Sequence, residues 1–123
     1  MELRRHCNGR TEAVHSREFV AFWADARAVF GLDHSGVEWR LAGRQSLKDI
    51  EAEAQGFTRA HRRTLVRVSV VDRLMARAGQ GHYCVLLGRE FPVSGAHKPA
   101  LQAQFRALAA ENGFGNLGVA RAA

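Results

Sequence analysis

The sequence predicts a small single α+β domain, on three observations. Apolar residues recur at steps of three and four over residues 18–30 and again over 47–78, two shorter segments alternate apolar with polar residues, and "ALQAQFRALAAEN" returns to helical spacing. The expected order is helix, strand, long or broken helix, strand, helix. Two strands alone make a poor sheet, so the N-terminal arm or a second subunit is expected to complete it. At 123 residues, 46% of them hydrophobic, the chain can bury one core but not two.

Residues 1–17 are polar, basic and without period, and read as a flexible basic arm or a lead-in strand. The domain proper is expected over 18–112, with 113–123 as a glycine-rich tail. Phe19, Phe22, Trp23, Ala26, Val29 and Phe30 fall on one face of a helix that Gly31 would end, with Trp23 buried. "LDHSG" is turn chemistry, and the alternation of Val37, Trp39 and Leu41 with Glu38 and Arg40 makes "VEWRLAG" a half-buried strand. Ser46 followed by Asp49 has the spacing of a capping box at a helix start.

From Leu47, the positions Ile50, Ala54, Phe57, His61, Thr64, Val68, Val71, Met75 and Ala78 keep helical steps, so one helix from Leu47 to Ala78 fits, stopped by Gly79. A break at Gly56 with Thr58 capping a second helix fits as well. A third reading makes "TLVRVSVV" a strand, because it is rich in β-branched residues. "HYCVLLGREF" reads as a largely buried strand. Pro99 suits the first turn of the last helix, with Leu101, Phe105 and Leu108 as its stripe and Gly113 as its cap.

Charge is the strongest functional signal. The formal net charge is +6, and all but Lys48 and Lys98 of the eighteen Lys and Arg residues are Arg. Such a balance favours an acidic partner, and a guanidinium forks onto phosphate better than an ammonium does. Six arginines, Arg59, Arg62, Arg63, Arg67, Arg73 and Arg77, crowd into "FTRAHRRTLVRVSVVDRLMARA" against the single acid Asp72. On a helix they would lie off the apolar seam and face outward, either to grip a phosphate backbone or as an ordinary solvated face. Arg4, Arg5 and Arg10 would make the arm basic.

The stretch "SLKDIEAEAQGFTRAHRR" also resembles the helix-turn-helix of bacterial repressors, with Ala52 and Gly56 at the required spacing and Phe57 following. That resemblance implies a recognition helix in the DNA major groove. Glu51, Gln55 and Arg62 depart from it, since the motif wants apolar groups at those places.

Catalytic signals are weaker. His82 and Cys84 share a strand face without a third group to orient them. His6, Cys7, His82 and Cys84 lack zinc-finger spacing, and no phosphate-loop or paired-acid pattern occurs. Two cysteines make no disulfide framework and no apolar run reaches membrane-spanning length. The expected protein is therefore a non-enzymatic, cytoplasmic nucleic-acid-binding homodimer without cofactor, metal or membrane attachment. DNA is favoured over RNA, and the setting is a bacterial regulator or accessory protein of a phage or plasmid. The competing readings are a protein-interaction module, an inhibitor or adaptor whose seam along 47–78 docks another helix, and a small enzyme whose site the sequence hides; an acidic protein is a further candidate partner.

Overall fold

The computed structural model describes residues 1–111. The fold is α+β, as expected, but strand dominates. Ten strands are present among the described residues: β1 Glu2–Cys7, β2 Arg10–His15, β3 Phe19–Asp25, β4 Ala28–Asp33, β5 Glu38–Ala42, β6 Phe57–His61, β7 Thr64–Arg67, β8 Arg73–Arg77, β9 Gly81–Leu86 and β10 Arg89–Val93. Two α-helices accompany them, α1 Leu47–Glu53 and α2 Lys98–Glu111. The Gly113 cap and the 113–123 tail lie outside the described residues.

Seven strands form one antiparallel sheet in the order β2-β1-β5-β4-β3-β7-β6, and β8, β9 and β10 form a second. The N-terminal segment supplies the strands that the two-strand reading lacked. Asn8 and Gly9, both at positive φ, close the β1–β2 hairpin, and Arg4 and Arg5 of β1 pair with Ala42 and Leu41 of β5. Asn-Gly is the preferred pair for such a two-residue turn.

Two expected helices are strands. Residues 18–30 form most of the β3–β4 hairpin, whose strands turn over Ala26 and Arg27 with Ala26 at φ 54°. The reason is double burial: Phe19, Val20, Ala21 and Phe22 are all wholly buried, because both faces of β3 are covered. Such a strand reads as an apolar run without alternation, and its spacing imitates a helix. Trp23 is only half-buried, stacked on Phe30 with ring centroids 6.0 Å apart.

The long helix at 47–78 is likewise absent. Only Leu47–Glu53 is α-helical, capped by Ser46 and Asp49 as the capping box predicts; of the "TLVRVSVV" strand reading, Thr64–Arg67 is strand and Val68–Val70 a turn of 3-10 helix. The apolar seam expected along a helix at 47–78 is consequently not a surface. Ile50, Ala54, Phe57 and Leu65 pack on one face of the large sheet with Phe19, Phe22, Leu3 and Val14, whereas Val68 and Val71 join the core on the other. That second core lies between the two sheets and α2, and holds Val20, Leu32, Val66, Cys84, Leu86, Phe91 and Leu101. The helix-turn-helix resemblance fails at the same place, since Phe57–His61, where its second helix should start, is a strand.

Candidate nucleic-acid interface

Antiparallel pairing brings chain connections together at one end of the large sheet. β3 ends and β4 begins there, β5 ends there, and β6 turns into β7 there. The β3–β4 turn, the link from β5 to α1 and the β6–β7 turn therefore converge, although about 35 residues separate the first from the last in sequence.

Between them lies a concavity of 570 Å³ whose walls carry His6, Arg27, Arg40, Arg44, Lys48, Arg59 and Arg62, and no carboxylate residue. Arg27 is exposed at its turn, Arg44 on the β5–α1 link, and Arg40 beside Phe30 in the β5–β4 register. Arg59 shapes the site more than it serves it. Its Nη2 donates to Glu51 Oε1 of α1 at 2.8 Å, while Nη1 donates to the Arg62 carbonyl at 2.6 Å. The β6–β7 turn is thereby tied to α1. His61 Nδ1 accepts from the Arg63 amide at 3.2 Å and steadies the same turn. Partial burial, then the charges of Arg62, His97 and Arg63, hold the His61 imidazole below its ordinary pKa.

The structure divides the six arginines singled out in the sequence. Arg59 and Arg62 line the concavity and Arg63 is exposed beside it. Arg67 turns inward: its Nε donates to the Phe19 carbonyl at 2.9 Å, its Nη2 to the Ser16 carbonyl at 3.2 Å, and its guanidinium lies 4.4 Å from the centre of the Phe57 ring. It ties the sheet to the preceding segment, and burial lowers its pKa. Arg73 and Arg77 stand on β8 of the other sheet. Arg73 pairs with Asp72 at 3.0 Å, and Arg77 grips both carboxylate oxygens of Glu90. The basic arm is also committed elsewhere, with Arg4 donating to Thr11 and Arg5 lying over Trp39 at 3.9 Å while bonded to Glu12.

Sequence reasoning missed Arg27, Arg40, Arg44, Lys48 and His6. One signal could have found Arg44, since it stands two residues before the recognised Ser46 cap. The others became neighbours only through strand pairing.

The catalytic alternatives lose their geometry. Cys84 is buried, and burial pushes its thiol pKa up to about 12, so it is no thiolate nucleophile. His82 instead meets Lys98, with 3.3 Å between Nε2 and Nζ. His6 and Cys7 lie on the large sheet and His82 and Cys84 on the small one. Among the described residues no three His, Cys, Asp or Glu side chains are grouped to hold a metal, and no helix is long and apolar enough to cross a membrane.

An antiparallel α+β domain whose convergent end carries an arginine-lined concavity is a binding module in its geometry. The sequence matches the family described as the LytTr DNA-binding domain over residues 39–106, more than half of the chain, and the protein belongs to that family. Its fold is similar to that of the LytTr DNA-binding domain from a Bacillus cereus protein described as a methyl-accepting/DNA response regulator. The TM-score is 0.68 at 14% identity, over 83% of this chain and 94% of that one. Among curated proteins, none matches the chain.

Proposed function

We infer that the protein is a DNA-binding regulatory domain that takes the phosphate backbone into the concavity at the convergent end of its large sheet. Arg27, Arg40, Arg44, Lys48 and Arg62 are the contact residues, with Arg63 and His6 at the margin. Arg59 positions the β6–β7 turn. The observation that carries this reading is the cavity wall itself, which gathers six Lys and Arg side chains and no carboxylate residue. Arg59 among them pairs with Glu51, while Arg5, Arg73, Arg77 and Arg89 outside the cavity pair with acids of their own. The family assignment supplies the nature of the polyanion, and a DNA regulator of a bacterium works in the cytoplasm.

Arg67, Arg73 and Arg77 have no part in this reading. Gel-shift titration of the parent and of Arg44→Glu with Arg62→Glu tests it. Both side chains are exposed and outside the core, so the double variant should keep the parent's circular dichroism while losing duplex binding. With about four phosphates neutralised, log K should fall against log salt with a slope near −4. Parent protein that binds no duplex at low salt, or a double variant that binds as tightly as the parent, would overturn the assignment.

A further inference from the structure

A second cavity, of 210 Å³, opens between the inner face of the three-stranded sheet and the first turns of α2. Its floor continues the core row of β9. Leu86 and Cys84 are wholly buried, and the next residue on that face, two positions back, is His82. In register, Ala76 of β8 and Val93 of β10 flank His82, and Leu74 and Leu101 complete the apolar walls. At this point an imidazole replaces the hydrocarbon that the row calls for.

The polar end of the cavity has one sign. Lys98 Nζ lies 3.3 Å from His82 Nε2, where an ammonium can only donate. No carboxylate residue lines the cavity. Lys98 is thus a half-buried cation whose partner at the cavity is an imidazole and not a carboxylate, at the mouth of an apolar slot. A carboxylate would answer the ammonium and a hydrocarbon tail the walls. The volume sits below the roughly 300–1,000 Å³ typical of drug-sized ligand sites, which limits the occupant to a short molecule.

We propose that this cavity is a binding site for a small apolar carboxylate, in the size range of a short-chain fatty acid, held by Lys98 with its tail against Leu74, Val93 and Leu101. The site shares no lining residue with the proposed DNA-binding concavity.

Isothermal titration and two-dimensional NMR of the full chain with butanoate, hexanoate and hexanol test the proposal. Hexanoate should bind saturably with a dissociation constant on the order of 0.1–1 mM for so few atoms, and shift the His82 ring signals. Each methylene from butanoate onward should tighten binding about fourfold. Hexanol should bind at least tenfold more weakly than hexanoate, and Lys98→Met should weaken hexanoate as much. A second variant, Ala76→Phe on the exposed strand β8, fills the slot and should also weaken it. Hexanoate that does not saturate, affinity independent of chain length, equal binding of hexanol, or unchanged binding by folded Lys98→Met or Ala76→Phe would overturn the assignment.

Discussion

Gly31 shows how much one side chain, or its absence, decides in this fold. A Cβ built there would lie 2.7 Å from the Phe19 ring, which is fully buried and packed on Phe22 with centroids 5.0 Å apart. The ring has nowhere to go, so Gly31→Ala should cost about 1–3 kcal/mol by overpacking. Urea unfolding would read this as a lower midpoint at unchanged slope, and a wild-type midpoint would disprove the contact. His61 offers a prediction of a different kind. Its pKa is lowered from 6.5 by partial burial and by Arg62, His97 and Arg63, so the unfolded chain takes up the proton first as pH falls. The stabilising contribution is therefore complete above about pH 6.5 and declines as the solution is acidified. A His61→Gln variant should show a flatter loss of stability between pH 6.5 and 5 than the parent, measured by denaturation at each pH.

Secondary-structure elements separate what could be read in the sequence from what could not. The capping box at Ser46 and Asp49 was legible because its hydrogen bonds are local, and both of its reciprocal bonds form. Ser46→Ala should accordingly destabilise the protein by about 1 kcal/mol, a loss that thermal melting would detect. Strand β5 and helix α2 were legible for the same reason, since alternation and a proline at the first turn are local signals. The β1–β2 hairpin carried an equally local mark, Asn8-Gly9, and the polar composition around it hid the strands. The β3–β4 hairpin was illegible on physical grounds: β3 is apolar on both faces, and its turn uses Ala26 in a left-handed conformation where glycine or asparagine would have signalled it. The candidate site inherited this error. Arg62 and Arg63 were noticed as neighbours in sequence, whereas Arg27 and Arg44 join Arg62 only through the sheet.

For the molecule as a whole, the two sheets are halves of one cooperative body. Val20, Leu32 and Val66 from the large sheet share a core with Cys84, Leu86 and Phe91 from the small one and Leu101 from α2. Ser94, just past β10, donates its amide to the Ala60 carbonyl of β6 at 2.9 Å. Trp23 packs against this shared core and Trp39 against the opposite one, so the two indoles report on different faces. Single-tryptophan variants retaining Trp23 or Trp39 should unfold at the same denaturant concentration, coincident with the loss of circular dichroism. Separate midpoints would mean that the faces melt independently.

The strand order carries a metric consequence for the basic end. Neighbouring strands lie about 4.8 Å apart, and in the sequence β5-β4-β3-β7-β6 the centre of the β3–β4 turn is two such steps from the centre of the β6–β7 turn. Arg27 and Arg62 are thus carried on supports held roughly 10 Å apart by backbone hydrogen bonds, a span close to the about 12 Å width of the DNA major groove. The distance between those two supports is a property of the pleated lattice and not of the residues in the turns. Exchanging side chains on either turn would alter what is touched while leaving the reach unchanged, so this end of the sheet works as a caliper with interchangeable tips.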